Sequence, residues 1–383
     1  MTPFRVNVPE SVLTDLQYRL AHTRWPDELE DAGWTYGTNR EYLKQLADYW
    51  QQGYDWRAQE AKLNEFPHFK EEVDGLKIHF IYIEGKGPNP MPLLLTHGWP
   101  DSFFRMLKML PFLTDPASHG GRAEDAFTVI VPDMPGYGFS DHPKQGGYDP
   151  VRIAQVFDKL MKQLGFSSYV AHGGDWGSHV TEQLGLHHAD RVRAIHLTDV
   201  PSPHTKVADK LPDLSATEKA WMVKNKAWQE KEAAYQKIQG TKPETLAYGL
   251  NDSPVGLLGW IIEKFYAWSD NDGNLEHTFS KDELLTNVMI YWVTESIGSS
   301  IRLYYETMHN PTLQLPTHVD VPTGFAIFPK DITPAPREFA ERFFEVKRWE
   351  EMPQGGHFAA MEETGRLVKE LREFFRAYRE ENE

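Results

Sequence analysis

Apolar and polar residues follow different patterns in two parts of this chain. Up to about residue 72, short helical patterns at 10–23 and 40–52 are separated by turns that contain Trp and Pro. From Leu76 onward, short apolar segments typical of strands alternate with amphipathic helical patterns. Strands that alternate with helices indicate a mostly parallel sheet whose two faces are covered by helices.

The second pattern predicts a series of strands and two clear helices. The strands are predicted at 76–83, 92–97, 128–132, 169–172, 194–199, 324–328 and 346–349, and the helices at 153–164 and 367–378. Between Pro201 and Pro316 the chain is helical, rich in Trp and Tyr, and has no convincing strand pattern. An insertion of this size between two strands would cover the carboxyl ends of the sheet, where open α/β sheets bind ligands.

These patterns divide the chain into four segments. We predict an N-terminal meander (1–72), the first part of an α/β core (73–200), a helical lid (201–316) and the second part of the core (317–383). The core would fold around the sheet, and the lid would lie over the ligand-binding edge of that sheet.

Composition narrows the classes of function. The chain has 383 residues and a formal net charge of −16, which argues against nucleic acid and anionic membrane surfaces as partners. It contains no cysteine, so disulfides and thiolate chemistry are excluded. The sequence has no signal peptide and no apolar run of about 18 residues, and we therefore expect a soluble, cytoplasmic protein.

A glycine-rich turn follows the predicted strand at 169–172 and carries Asp175. The sequence Gly-Gly-Asp-Trp-Gly-Ser at 173–178 has the small-x-nucleophile-x-small pattern of the α/β-hydrolase elbow, with Asp where serine hydrolases have Ser. The glycines are needed because the turn is tight and the nucleophile's backbone is strained. A simpler interpretation is that Asp175 only caps a helix. It is disfavoured because the sequence also contains the other parts of a hydrolase site.

The strand at 92–97 runs into the sequence HGWP at 97–100. In an α/β-hydrolase, the loop after this strand provides one N–H of the oxyanion hole. We predict that the backbone N–H groups of Trp99 and Trp176 form this hole. The bond between Trp99 and Pro100 is a candidate cis peptide. We interpret His97 as a hydrogen-bonded structural residue and not as a catalytic one.

A histidine and a carboxylate follow the nucleophile in the chain order that α/β-hydrolases use. His357 lies in a Gly-Gly-His-Phe loop after the predicted last strand, and Asp331 follows the strand before it. Asp320 lies before that strand and Glu338 lies well after it, so both are weaker candidates for the acid. The sequence therefore predicts an Asp175, Asp331 and His357 triad on an α/β-hydrolase fold.

Taken together, these motifs resemble the epoxide hydrolases of the microsomal type, which include juvenile-hormone and bacterial members. The marks of the resemblance are WTYG at 34–37, YDWR at 54–57, HGWP at 97–100, HGGDWG at 172–177, NDSP at 251–254 and GGHF at 355–358. We expect the chain to depart from the mammalian members by lacking a membrane anchor, and Asp331 stands where they carry Glu. Either carboxylate can orient an imidazole, so the chemistry remains possible.

The resemblance implies two lid tyrosines that activate the epoxide oxygen. It points to Tyr235 and Tyr304. Tyr305 is adjacent to Tyr304, so the sequence leaves open which of these two is the second lid tyrosine. It also implies that Asp175 opens the epoxide to form an alkyl-enzyme ester, which water activated by His357 and Asp331 hydrolyses to a vicinal diol. No metal or organic cofactor is required. Detoxification is the role we associate with this chemistry, with catabolism and biosynthesis as alternatives.

Two other functions are weighed against this one. A haloalkane dehalogenase would share the triad and hold halide with indole or amide N–H groups, but it needs no tyrosine pair. A non-catalytic protein that binds a small ligand is disfavoured because Asp175, Asp331 and His357 are all present. The expected partners are a small apolar epoxide and water, and a homodimer is the expected assembly although no motif indicates it.

Overall fold

The computed structural model describes residues 1–208, 211–314 and 317–379. Within these residues one sheet contains nine strands. They are β1 (Thr2–Phe4), β2 (His68–Val73), β3 (Leu76–Ile83), β4 (Met91–Thr96), β5 (Phe127–Pro132), β6 (Tyr169–Gly173), β7 (Val192–Leu197), β8 (Val319–Ile327) and β9 (Phe344–Glu351). The seven predicted strands are all present, and the main difference is that β8 begins five residues earlier than predicted.

The order of the strands brings the two central motifs together. The order is β1-β2-β3-β5-β4-β6-β7-β8-β9, with antiparallel pairing as far as β5 and parallel pairing from β5 to β9. Strands β4 and β6 are neighbours, and Thr96 at the end of β4 pairs with Gly173 at the end of β6. Because the two strands are parallel, the chain segments that follow them leave the sheet at the same edge.

Helices cover the sheet and fill the long interval between β7 and β8. They are α1 (Glu10–Ala21), α2 (Arg40–Gln52), α3 (Trp56–Leu63), α4 (Leu110–Thr114), α5 (Pro150–Gln163), α6 (Trp176–His187), α7 (Ser202–Val207), α8 (Ala216–Lys231), α9 (Ala234–Thr241), α10 (Pro243–Asp252), α11 (Pro254–Trp268), α12 (Lys281–Thr294), α13 (Ile297–His309), α14 (Arg337–Ala340), α15 (Ala359–Glu362) and α16 (Thr364–Phe375). No strand occurs among the described residues between β7 and β8. In the described part of the chain, no helix is both long enough and apolar enough to cross a bilayer.

Local sequence signals explain where several of these helices begin. Helix α8 begins at a capping box in which Ser215 and Glu218 bind each other's backbone N–H groups, and Ser280 and Glu283 do the same for α12. Helix α5 begins at Asp149, whose side chain accepts from the N–H of Arg152. These caps satisfy backbone donors that a helix cannot pair internally.

The N-terminal segment contains two strands that the sequence pattern did not predict. Strand β1 has only three residues, one of them Pro3, and β2 is half exposed and rich in Lys and Glu, so neither shows a clear apolar alternation. Strand β2 joins β3 through Asp74 and Gly75, whose φ angles are 52° and 81°. Two positive φ angles in an Asp-Gly pair are typical of the tight hairpin turn that this dipeptide favours. The hairpin could therefore have been predicted from the Asp-Gly dipeptide.

The N-terminal helices pack against the helices inserted between β7 and β8. The Thr38 hydroxyl donates to the Gly259 carbonyl of α11 at 2.6 Å, and the Tyr49 hydroxyl donates to Asp282 of α12 at 2.8 Å. The ring of Trp34 stacks on that of Tyr266, with centroids 3.8 Å apart and planes within 4°. The N-terminal segment therefore fixes α11 and α12 from the outside.

We predict that Trp34→Ala destabilises the protein by about 2–3 kcal/mol, because it removes the stacked contact with Tyr266 and leaves a cavity. Tyr36→Ala is the matched control, since Tyr36 is 79% exposed, and it should change stability by less than about 0.5 kcal/mol. Denaturant unfolding followed by tryptophan fluorescence and circular dichroism measures both. Equal effects of the two substitutions would contradict the proposed packing role.

Candidate active site

The turn from β6 into α6 places Asp175 in a strained backbone conformation at the edge of the sheet. Asp175 has φ 58° and ψ −128°, a region that residues with a side chain rarely adopt. A Cβ added to Gly173 would lie 2.1 Å from the Gly177 carbonyl oxygen, and one added to Gly177 would lie 2.1 Å from the Thr96 carbonyl oxygen. Glycine is therefore required at both positions for the turn to fit against β4.

The carboxylate of Asp175 is held by backbone N–H groups from two loops. The N–H of Trp99 donates to Oδ1 of Asp175 at 2.7 Å, and the N–H of Trp176 also faces this carboxylate. Burial opposes ionisation of Asp175, but His357 and these two N–H groups outweigh it and lower the pKa of Asp175 below its ordinary value. The Trp99–Pro100 peptide is cis.

His357 lies between two carboxylates. Its Nδ1 lies 2.6 Å from Oδ1 of Asp331, and its Nε2 lies 3.3 Å from Oδ2 of Asp175. Burial acts to lower the pKa of His357, but Asp331 and Asp175 together raise it well above the ordinary value. The structure thus brings together the three residues that the sequence singled out.

The other carboxylates considered for the acid lie elsewhere, and His97 has backbone partners. Asp320 is paired with His318 at the surface, and Glu338 accepts a hydrogen bond from Ser215. His97 is buried, its Nε2 accepts from the N–H of Met134, and its Nδ1 lies 3.0 Å from the carbonyl oxygen of Gly98. These contacts agree with the interpretation of His97 as a structural residue.

The main chain around His357 is fixed by two buried charged residues that sequence analysis missed. Arg105 donates to the His357 carbonyl oxygen at 2.7 Å and to Asp101 at 2.7 Å. Glu362 accepts the N–H groups on both sides of His357, from Gly356 at 2.9 Å and Phe358 at 2.8 Å. Asp101 and Arg105 directly follow HGWP and are four residues apart, so the sequence contained a signal for this ion pair. No local pattern identifies Glu362.

Asp199 is another carboxylate at the site, partly buried, that the sequence analysis did not single out. It follows β7, and its Oδ1 accepts from the backbone N–H of Asp175 at 2.8 Å and from the Ser178 hydroxyl at 2.6 Å. Burial, and then the charge of Asp331, raise the pKa of Asp199 to about 7. Asp199 could have been predicted to lie at the site from its position at the carboxyl end of a parallel strand, because residues that face the ligand are common there.

The predicted tyrosines lie above this cluster, on the inserted helices. The ring of Tyr304 on α13 meets that of Trp176 edge to face at 4.7 Å, and the ring of Tyr235 on α9 stacks on that of Trp99 at 5.7 Å. Burial is the main cause that raises the pKa values of both tyrosines, so both phenols stay protonated. Tyr305 is 39% exposed and stacks on His309. Tyr304, and not Tyr305, is therefore the residue that faces the cluster.

A cavity of about 110 Å³ connects these groups. Its walls come from the loops after β6, β7, β8 and β9 and from helices α8, α9 and α13. The lining includes Asp175, His357, Tyr235, Tyr304, Asp199, Trp221, Trp228 and Ile332. A larger cleft of about 640 Å³ lies elsewhere on the surface, beside the ion-paired Arg19 and Arg302, and it contains none of the triad residues.

Comparisons with known proteins agree with this geometry. Residues 1–106 match the family model described as epoxide hydrolase N terminus, and residues 91–237 match the one described as alpha/beta hydrolase fold. A protein of Stigmatella aurantiaca is 43% identical over 99% of this chain and 86% of its own length. Epoxide hydrolase 1 of Sus scrofa is 38% identical over 97% of this chain and 88% of its own length.

Solved structures give the same result. The juvenile hormone epoxide hydrolase of Bombyx mori matches with a TM-score of 0.88 and 31% identity, covering 99% of this chain and 95% of its own. The Aspergillus niger epoxide hydrolase matches with a TM-score of 0.84 and 32% identity, covering 98% and 96%. The fold is that of an α/β-hydrolase. Within that class, the chain belongs to the epoxide hydrolase family, as its motifs predicted.

The position of His357 predicts how its contribution to stability depends on pH. A histidine whose pKa is raised by folding stabilises fully below its ordinary pKa of 6.5, and loses that effect as pH rises through its folded-state pKa. The difference in unfolding free energy between the wild type and His357→Gln should therefore be larger near pH 6 than near about pH 9.5. Urea unfolding at several pH values measures it, and a difference that does not change with pH would contradict the charged state assigned to His357.

Proposed function

We propose that this protein converts epoxides to vicinal diols, with Asp175 as a covalent nucleophile. The observation that carries the proposal is the position of the Asp175 carboxylate. Oδ1 accepts the N–H of Trp99, Oδ2 lies beside His357, and the rings of Tyr235 and Tyr304 pack on the two tryptophans that flank the carboxylate. A nucleophile, acids for the leaving oxygen and a base for water are all assembled around one cavity.

In the first step, Oδ2 of Asp175 attacks a ring carbon of the epoxide and breaks one carbon–oxygen bond. The leaving alkoxide is very basic, so it needs a proton donor as the ring opens, and the phenols of Tyr235 and Tyr304 donate to it. Oδ1 stays on the N–H groups of Trp99 and Trp176 as Oδ2 becomes the ester oxygen. The product of this step is an alkyl ester of Asp175 that carries a free hydroxyl group.

In the second step, His357 takes a proton from water and the water oxygen attacks the ester carbonyl. Asp331 holds Nδ1 of His357, so Nε2 is the nitrogen that faces water and ester. The negative charge on Oδ1 in the tetrahedral intermediate is bound by the same two N–H groups. As the intermediate collapses, the bond between the carbonyl carbon and the ester oxygen breaks, and His357 returns the proton to that oxygen to complete the diol. The proton of the resulting Asp175 carboxylic acid passes to His357, which restores the charged pair.

Ester formation itself converts His357 into a base. Before the reaction, the negative charge of Asp175 helps to raise the pKa of His357. The ester removes that charge, so only Asp331 remains as a charged neighbour and the pKa of His357 falls. His357 then gives its proton back to the tyrosinate left by ring opening, and as a neutral imidazole it can accept a proton from water.

The walls of the cavity favour a small, largely apolar epoxide. Trp221 and Trp228 of α8 face Ile332 and Ala335, which follow β8, while Asn225 of the same helix adds a polar group. Helices α8, α9 and α13 act as the lid that excludes water from the first step. The alkyl ester on Asp175 is then reached by a water molecule beside His357.

One observation keeps a halide-releasing reaction as the second candidate. The buried indole N–H of Trp176 lines the cavity, where it lies beside the Tyr304 hydroxyl without a hydrogen bond of normal geometry to any described residue. An indole N–H of this kind can bind a halide leaving group, as a dehalogenase requires. The same carboxylate would then attack an alkyl halide, and the tyrosines would be dispensable.

Intact mass spectrometry of His357→Gln distinguishes the two reactions, because this variant should form the ester and fail to hydrolyse it. With a small aryl epoxide we expect a gain equal to the whole epoxide, located on Asp175 by peptide mapping. With a bromoalkane we expect no gain. Asp175→Asn in the same background is the control and should gain nothing. A mass gain equal to the alkyl group, with release of bromide, would show that the protein is a dehalogenase. No mass gain on Asp175 from any aryl or alkyl epoxide would refute the proposal.

The tyrosine pair has a separate test. In the His357→Gln background, replacing both Tyr235 and Tyr304 by Phe should slow ester formation by about 10³-fold or more, because the alkoxide loses its proton donors. Tyr305→Phe is the matched control and should leave the rate unchanged, since this ring lies outside the cavity. Rapid-quench mass spectrometry measures the rate. Ester formation at the wild-type rate in the double variant would show that neither phenol is the acid.

A further inference from the structure

Helix α11 carries a buried lysine that none of the steps above uses. Lys264 is only 6% exposed, and its ammonium group pairs with the adjacent Glu263. A lysine that loses its hydration in this way is uncommon unless other groups stabilise the charge. The rest of its surroundings therefore indicate what the charge does.

The ammonium group of Lys264 lies against the rings of two residues of the candidate site. Its Nζ is 4.5 Å from the centroid of the Tyr235 ring and 5.7 Å from the centroid of the Trp268 ring. Both distances are within the range of a cation–π contact. Trp268 in turn meets the His357 ring edge to face at 5.2 Å, and its carbonyl oxygen accepts the His357 N–H at 2.8 Å.

We propose that Lys264 is a positioning residue for epoxide opening, which acts through Tyr235 by placing a positive charge on the face of its ring. This inference rests on the proposed function, because it takes Tyr235 as a donor to the epoxide oxygen. Lys264 does not touch the substrate. It is not among the residues that line the cavity.

The charge of Lys264 acts more strongly on the transition state than on the resting enzyme. As Tyr235 donates its proton, negative charge develops on the phenol and spreads into the ring. The attraction between the ammonium group and the ring then grows from a cation–quadrupole contact to one between opposite charges. An interaction that strengthens during the reaction lowers the barrier, whereas a uniform one does not.

Nearby charges already affect this phenol. Burial and the charge of Asp175 raise the pKa of Tyr235, and Glu263 raises it further. Glu263 and Lys264 are neighbours in sequence and have opposite charges, so they should have opposite effects on Tyr235. They form a matched pair of test positions on one helix.

The test measures ester formation in the His357→Gln background with an aryl epoxide, by rapid-quench mass spectrometry. Lys264→Met, which keeps an unbranched side chain of nearly the same length and removes the charge, should slow ester formation about 10- to 100-fold. Lys264→Gln provides a second neutral variant with the same expectation. Lys264→Arg restores the cation and should recover most of the rate. Glu263→Gln should form the ester at least as fast as the parent.

Two further readouts separate this role from a merely structural one. With an epoxide that bears a trifluoromethyl group, the leaving alkoxide is less basic, so the defect of Lys264→Met should shrink. In the His357-containing protein, the hydrolysis rate of the preformed ester should stay within about twofold of the wild type, since Tyr235 has already given up its proton.

Any one of four results would overturn the inference. They are an unchanged rate of ester formation in both Lys264→Met and Lys264→Gln, no recovery of the rate in Lys264→Arg, an equal loss of rate in Glu263→Gln, and a defect of the same size with both epoxides. The parent His357→Gln protein serves as the check on the proposed function. If it forms no ester on Asp175, the mechanism itself is wrong. If it does and the Lys264 variants match it, only the role of Lys264 is wrong.

Discussion

The close approach of the β6–α6 turn to the end of β4 is the constraint on which the site depends. Gly173 and Gly177 have no room for a Cβ, and a Cβ on Gly98 would lie 2.5 Å from the Cβ of Asp175. This contact forces Asp175 into a positive φ and at the same time brings its carboxylate onto the N–H of Trp99. The backbone strain costs free energy of about 1–3 kcal/mol, which the surrounding packing must offset. Asp199 contributes by accepting the N–H of the strained residue.

The electrostatics of the site follow from burying several charges together. Asp175 and Asp331 both pair with His357, and Asp101 pairs with Arg105. A buried charge without a partner is very unfavourable, so each carboxylate is matched by a cation or by backbone N–H groups. Arg105 satisfies Asp101 and also holds the His357 carbonyl oxygen, so a single guanidinium connects the loop after β4 to the loop after β9. The pKa shifts of Asp175 and His357 are consequences of this arrangement.

The inserted helices complete what the sheet cannot supply. The strand ends carry Asp175, His357 and the backbone N–H groups, while the phenols of Tyr235 and Tyr304 come from α9 and α13. The N-terminal segment holds α11 and α12 from the outside through Thr38, Tyr49 and Trp34. Three parts of the chain that are distant in sequence are therefore needed to form one cavity.

The sequence by itself determined the strands of the core and singled out Asp175, Asp331 and His357, because the signals for both are local. In a strand, side chains alternate between the two faces of the sheet with a period of two residues. The glycines of the elbow are needed by the turn that they form. Asp331 was identified by its place after a strand, which is also a local property. The short β1 and the half-exposed β2 were missed because a strand without an apolar face has no period to detect.

Only the tertiary structure decided the contacts between distant segments. Tyr304 was separated from Tyr305 because neighbouring residues on a helix point about 100° apart, and the packing of α13 determines which one faces inward. Arg105, Asp199, Glu362 and Lys264 gain their roles from buried partners that are remote in the chain or from the desolvation of their charge. Such partners leave no pattern in the local sequence. The physical reason is that hydrogen bonds and charge interactions depend on distances that exist only after the chain has folded.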